Sequence, residues 1–248
     1  MVQYIILGLI QGFTEFLPVS SSGHLVILQS LFGMQEYALA VALVLHLGTV
    51  ASLIVFFFKD ILSAIKKPRI IGQIIIVTVV TGLIAFSGKS YFESLFSSPK
   101  AVAVALLFTA AMLFLAKARD NGRKHELSFK DVIFLGIAQG IAVIPGISRS
   151  GFTISALLLR GVDRETSFRF SFLAAIPAIC GAVILEFRES DFVIPSGMFL
   201  PLALGFAVSF VFGLLALWLL KKVLIKSKLH YFAYYCMILA IVVFVFIK

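Results

Sequence analysis

The chain has 248 residues, 61% of them hydrophobic and 13% charged, with a formal net charge of +9 and a mean hydropathy of +1.10. Soluble domains run about 45–50% apolar and about 25% charged, so a soluble enzyme is excluded, and so is a disordered chain, which needs low hydrophobicity. The positive charge does not point to nucleic acid, because the basic residues sit in short segments between apolar runs, where they set membrane topology.

In chain order, residues 3–17 form an apolar helix pattern that runs into Pro18-Val19-Ser20-Ser21-Ser22-Gly23. A second short helix pattern follows over 24–32. No basic segment precedes this region, so no cleavable signal peptide is expected. Apolar runs at 38–58, 70–88 and 100–117 are each long enough to cross a bilayer, for which about 17–25 residues suffice. Residues 132–144 then run into Pro145-Gly146-Ile147-Ser148-Arg149-Ser150-Gly151, followed by a short apolar stretch over 152–159. Three more spans are expected at 169–187, 197–220 and 230–247. Cys180 and Cys236 lie inside apolar runs and read as packing residues. Clusters of Pro, Gly and Ser stop helices. Broken backbone at membrane depth survives only where protein buries it or water lines it.

The two broken regions are copies of each other. Leu7, Gly8, Gln11, Gly12, Ser20, Ser22 and Gly23 match Leu135, Gly136, Gln139, Gly140, Ser148, Ser150 and Gly151 at a constant offset without gaps. Each copy precedes three full spans. Three is odd, so the second copy enters the membrane upside down. The expected fold is an all-α polytopic membrane protein. It has six transmembrane helices plus two re-entrant helix pairs, in one membrane domain over 1–248 with inverted repeats at about 1–118 and 130–248. Sixteen of the 21 Lys and Arg fall on one side, in the segments 59–69, 117–130, 160–169 and 221–228. The positive-inside rule places that side in the cytoplasm. Both termini and the mouth of the first hairpin then face outward.

Ionisable groups at membrane depth are costly and are functional candidates by default. Here they are Glu15, His24, His46 and Arg149. The N-termini of the second half-helices offer free N–H groups and a positive dipole end to an anion. Ser20, Ser22, Ser148 and Ser150 add hydroxyl donors, and double as helix caps. Arg149 adds a planar fork suited to phosphate. Glu15, one turn after Gln11, can hold a divalent cation through oxygen, or can be a structural carboxylate paired with Arg149. His24 near Ser21 suggests a base and a nucleophile. His46 fits packing and site lining equally well.

The run Gln11-Gly12-Phe13-Thr14-Glu15-Phe16-Leu17-Pro18-Val19-Ser20-Ser21-Ser22-Gly23-His24 resembles the first signature of the undecaprenyl-diphosphatase (bacitracin-resistance protein) family. Pro145-Gly146-Ile147-Ser148-Arg149-Ser150-Gly151-Phe152-Thr153 resembles its second. His46-Leu47-Gly48-Thr49 and Phe170-Ser171-Phe172-Leu173-Ala174-Ala175-Ile176-Pro177 are similar to further family segments. The resemblance implies a plasma-membrane phosphatase that converts an undecaprenyl (polyprenyl) diphosphate to the monophosphate carrier of cell-wall synthesis. It implies catalytic roles for Glu15, Ser21, His24 and Arg149. Ser20, Ser148, Ser150 and Thr153 match positions that line the phosphate site. It further implies Mg²⁺ or Ca²⁺ at Glu15 and a homodimer. The family's acidic motif is Glu/Gln-x-x-x-Glu, and Gln11 here leaves Glu15 as the main anionic ligand. Two routes stay open: attack by Ser21 with His24 as base, or a water activated by His24. The rival reading is a lipid-phosphate transporter or flippase, alone or combined with the phosphatase, since inverted repeats with broken helices are also transporter architecture.

Overall fold

The structure, a computed structural model, describes residues 1–31, 38–96, 98–118, 122–189 and 197–246. The described residues are helical apart from turns and one isolated bridge between Lys124 and Val162. A helix satisfies its backbone polar groups internally, as lipid demands. Phe32, Arg119 and residues 247–248, which the sequence reading used, lie outside the described residues.

The helix α1 (Val2–Phe16) ends because Leu17 precedes Pro18. Leu17 is extended, with φ −67° and ψ 146°, as residues before proline prefer. Ser20 then takes a left-handed φ of 67° and turns the chain into α2 (Ser21–Leu31). This helix starts earlier than the pattern over 24–32 suggests, so Ser21, Ser22 and Gly23 form its first turn. The second hairpin repeats the device. A capping box between Ser128 and Asp131 opens α8 (Phe129–Ile141). The chain then breaks before Pro145 and resumes as α9 (Arg149–Leu159), capped by Ser148, whose hydroxyl accepts from the Gly151 N–H at 3.2 Å. Arg149 is therefore the first residue of a helix rather than part of the break.

Around the hairpins stand α3 (Ala38–Phe56), α5 (Pro68–Ser87), α7 (Pro99–Ala118), α10 (Arg164–Glu189), α11 (Phe199–Ile225) and α12 (Tyr231–Phe246). Four of these, α5, α7, α10 and α11, are long and apolar enough to cross a membrane. A fifth span results if α3 is taken with α4 (Phe58–Ile65), although the two are bent by 69°. The remaining expected span is α12, which is apolar but only 16 residues long as described. A further short helix, α6 (Lys89–Phe96), was not legible in the hydropathy. The chain is thus a multi-pass membrane protein with four or five spans by length.

Helices in lipid associate through close packing and hydrogen bonds rather than by hydrophobic drive. The first hairpin's α1 packs on α11 and α3, and the second hairpin's α8 packs on α5. Gly12 lets α1 approach α11: a Cβ there would lie 2.8 Å from the Phe212 Cβ and the Ser209 carbonyl oxygen. Ser209 in turn donates to the Leu45 carbonyl at 2.8 Å, tying α11 to α3. Beneath the hairpins Phe16, Phe57, Phe168 and Phe172 form an edge-to-face and tilted ring cluster. Such ring pairs contribute about 0.5–1.5 kcal/mol each beyond burial.

Gly12→Val should force the α1–α11 seam apart. Overpacking of this kind costs about 1–3 kcal/mol, so the detergent-solubilised variant should melt at a clearly lower temperature. Gly72→Val, where an added Cβ meets open space, should melt like the parent. Equal melting of the two variants would refute the close approach.

Candidate functional site

The breaks of the two hairpins meet at Glu15. This carboxylate is buried on the last turn of α1. Its Oε1 accepts from the Arg149 guanidinium at 3.0 Å. Its Oε2 accepts from the Ser21 hydroxyl at 2.7 Å and from the Gln11 amide at 3.1 Å. His46 Nε2 stands 3.6 Å from the same oxygen, with its Nδ1 turned to the Ala42 carbonyl at 2.8 Å. Gln11 and Glu15 are one helical turn apart, so they share a face. Ser21 and Arg149 are each the first residue of a second half-helix, which points both at the junction. The pairing of Glu15 with Arg149, the structural reading of that carboxylate, is thus present. It belongs to a larger hydrogen-bonded set.

A small cavity of about 10 Å³ opens beside the pair, lined by Glu15, Arg149, Ser150, Thr153, Ser171 and Phe172 among others. That is room for about one water, so the site as it stands is closed around the ion pair. Thr153 lines the cavity and donates to the Arg149 carbonyl at 2.8 Å. The serine pairs of the two copies adopt the same relation: Ser20 to Ser22 and Ser148 to Ser150 are both 3.3 Å between hydroxyl oxygens.

His24 stands differently from expectation. Its Nδ1 lies 2.7 Å from the Ser20 carbonyl and its Nε2 lies 2.6 Å from the Tyr235 hydroxyl. A carbonyl only accepts, so the ring is held with Nδ1 protonated and Nε2 accepting from the tyrosine, a tautomer assigned from its partners. No hydrogen bond joins His24 to Ser21. The hydroxyl goes to the stronger acceptor, the carboxylate, while the histidine one turn after Ser20 folds back on that residue's carbonyl.

Several residues join the site that sequence reasoning did not single out. Thr109 of α7 donates to the Gly146 carbonyl at 3.1 Å and accepts from the Ser148 N–H at 3.0 Å, pinning the second break. Gly146 has a φ of 95° there, and a Cβ would lie 2.5 Å from the Val102 carbonyl oxygen. Cys236 of α12 donates to the Pro18 carbonyl at 3.4 Å, pinning the first break. Ser171 has a buried hydroxyl with no partner and faces the cavity. The available signal for Ser171 was a lone hydroxyl between two phenylalanines of a span. Tyr235 had no signal, since tyrosines are ordinary at membrane interfaces.

No group of three or more His, Cys, Asp or Glu is assembled among the described residues. An all-protein metal cage is therefore absent from them. The oxygen set does fit a hard cation that keeps most of its shell from water and phosphate. The Gln11 carbonyl oxygen is buried without a partner, on the same amide whose nitrogen contacts the Glu15 carboxylate at 3.1 Å.

The family described as Bacitracin resistance protein BacA matches residues 4–242 of the chain. Among similar proteins is the undecaprenyl-diphosphatase of Carboxydothermus hydrogenoformans, 44% identical over 250 residues, which cover 98% of this chain and 96% of the relative. The undecaprenyl-diphosphatase of Thermosipho africanus is 40% identical over 98% of this chain and 99% of its own. That of Methanosphaera stadtmanae is 38% identical over 96% and 95%. Similarity of this extent runs through both hairpins and all the helices between them, and the chain belongs to the bacitracin resistance protein BacA family.

Proposed function

We infer that the protein is an undecaprenyl-diphosphatase, an integral-membrane hydrolase that splits undecaprenyl diphosphate into the monophosphate and phosphate and so recycles the lipid carrier of cell-wall polymer synthesis. The observation that carries this reading is the convergence of Arg149 and Ser21, from opposite hairpins, on the buried carboxylate of Glu15. A guanidinium, hydroxyls and helix N-termini are the donors a phosphate requires. Relatives that share the whole chain are named for this activity.

Phosphoryl transfer depends mostly on positioning and electrostatic stabilisation. Arg149 exchanges Glu15 for the non-bridging oxygens of the terminal phosphate. Ser20, Ser22, Ser148, Ser150 and Thr153 orient that group with their hydroxyls. Ser21 Oγ attacks the terminal phosphorus, and its proton passes to the Glu15 oxygen it already contacts at 2.7 Å. The bridging P–O bond breaks, and the polyprenyl monophosphate departs with the electron pair. A water then attacks the phosphoserine, with His24 Nε2, freed from Tyr235, taking the water's proton, while the P–Oγ bond breaks and Ser21 Oγ regains its proton from Glu15 as phosphate leaves. In the alternative route His24 activates the water for direct attack, which its accepting Nε2 favours. Mg²⁺ or Ca²⁺ would be held by Glu15 and the Gln11 carbonyl oxygen and would offset phosphate charge. The lipid tail has a place in an apolar cavity of about 300 Å³ between α7 and α12, lined by Ala103, Leu107, Ala240 and Phe244 among others. It starts one residue past Val102 and one turn past Cys236, which both touch the breaks.

The finer architecture belongs to the same reading: six spans and two re-entrant pairs, one domain with inverted repeats over about 1–118 and 130–248, and both termini and the site entrance on the outer face. Homodimerisation is part of it through the family resemblance. Support for the repeat comes from packing. The α1 on α11 contact has its counterpart in α8 on α5, and α7 packs on α12. Pro18 and Gly146 sit at equivalent places, and each has its carbonyl held by a side chain of that α7–α12 pair.

In detergent, phosphate release from farnesyl diphosphate should fall about 10²–10³-fold in Arg149→Lys, as for loss of one oriented transition-state donor, with folding retained. Activity unchanged both in that variant and on chelation would overturn the site. Rapid quenching with label in the terminal phosphate should leave label on Ser21 of the parent and none on Ser21→Ala. Full turnover with no labelled protein would remove Ser21 as nucleophile and leave the water route.

A further inference from the structure

A second, larger cavity of about 440 Å³ lies away from the hairpin junction. Its walls come from the turn after α4, the start of α5, the strand-like segment before α8 and the first turns of α10. Four cations face it, Lys66, Lys67, Arg69 and Arg169, against one carboxylate, Glu126. Arg69 pairs with Glu126 at 2.8 Å and Arg169 pairs with Asp60 at 3.2 Å. Lys66 and Lys67 meet no carboxylate among the described residues. The floor is apolar, made by Ile70, Leu127 and Phe170. Cations gathered around an apolar floor suit a ligand that is anionic at one end and greasy at the other.

The depth of this cavity follows from its neighbours. The helix α4 turns 69° away from α3, and Phe58, Leu62 and Ile65 are exposed along one side of it. A short amphipathic helix of this kind lies in the plane of the membrane interface. On the same side, Arg164 at the start of α10 donates to the Ile225 carbonyl at the end of α11. One turn before that end, Lys222 Nζ sits 3.4 Å over the exposed Trp218 ring, and a tryptophan beside a lysine is an interface anchor. The cavity is therefore at headgroup level.

We propose that this basic cavity binds the phosphate of an anionic lipid headgroup, with Lys66 and Lys67 supplying the charge that no protein group neutralises. The site is independent of the diphosphatase reading, although Arg169 and Phe170 directly precede Ser171 and Phe172 of the first cavity along α10. Free phosphate shares the recognised chemistry, and the two sources separate experimentally.

The test is native mass spectrometry of the detergent-solubilised full chain, titrated with phosphatidylglycerol or with phosphatidylcholine. The parent should retain phosphatidylglycerol over phosphatidylcholine. Lys66→Gln with Lys67→Gln should weaken that retention about tenfold or more, two juxtamembrane charges being removed. Both lysines are exposed, so the double variant should melt like the parent. A charge-matched control, Lys117→Gln with Lys226→Gln, should retain lipid like the parent. Displacement by millimolar inorganic phosphate would show that phosphate alone suffices. Resistance to it would show that the lipid body contributes, and either result supports the site. Equal retention by parent and double variant, or an equal loss in the control, would overturn it.

Discussion

The carboxylate of Glu15 is the point on which the architecture turns. Burying a charge costs several kcal/mol unless partners replace its water, and an isolated carboxylate at this depth would not stay ionised. Four groups replace that water here, and they come from four separate elements, α1, α2, α3 and α9. Arg149 is 134 residues away in sequence, so the ion pair forms only when the two hairpin breaks abut. The requirement runs both ways: the hairpins place the charges, and the charges hold together two lengths of broken backbone that lipid would otherwise expel. The other anchors do the same work at a smaller scale. Thr109 and Cys236 hold the carbonyls that the breaks release. Asp131 ties the start of α8 to the end of α9 through Arg160 at 2.8 Å.

The same pair keeps the site shut. Its charges cancel, and the cavity beside it has room for about one water. In the proposed mechanism a diphosphate enters by taking Arg149 away from Glu15. The exposures show which partner gives way: the Arg149 side chain is 32% exposed and that of Glu15 is 4%. Arginine has the long flexible stem and a solvated edge, whereas Glu15 is fixed by Ser21 and Gln11 on its other oxygen. In that mechanism, Arg149 turning to phosphate would leave Glu15 facing negative charge at low dielectric, which the Ser21 proton or a bound cation would offset.

Much of this was legible in the chain. Pro18 and Pro145 announce the breaks because the residue before proline avoids the helical region, and Gly12 with Gly140 marks the faces that pack closely. Glu15 and Arg149 stand out because charge is rare in so apolar a sequence. What escaped depends on direction rather than composition. Hydropathy averages along the chain, so the run over 38–58 stopped one residue into α4, the segment after it read as a basic loop, and the 69° bend between α3 and α4 left no signal. Ser21 and His24 are three residues apart, and spacing alone allowed them to pair. Only the folded geometry shows the hydroxyl drawn to Glu15 and the imidazole drawn between Ser20 and Tyr235. Tyr235 is 211 residues from His24, a separation at which no local pattern speaks. Ser171 lies in a segment similar to the family's, but only the fold shows that its hydroxyl has no partner and lines the cavity.

The two copies share a backbone device but divide the chemistry. Glu15 corresponds to Val143, His24 to Phe152 and Ser21 to Arg149. The last correspondence is the informative one, since the first residue of each second half-helix reaches the same carboxylate from opposite sides. Had both copies kept the acid, two like charges would have met at the junction, and one would have been forced neutral. Had both kept the arginine, nothing would have balanced the second guanidinium. A repeat that closes on itself can hold one acid and one cation at its centre only if the copies differ there. Hydrolysis needs a nucleophile facing a charge that stabilises its target, and the unlike residues at the like positions Ser21 and Arg149 fit that need.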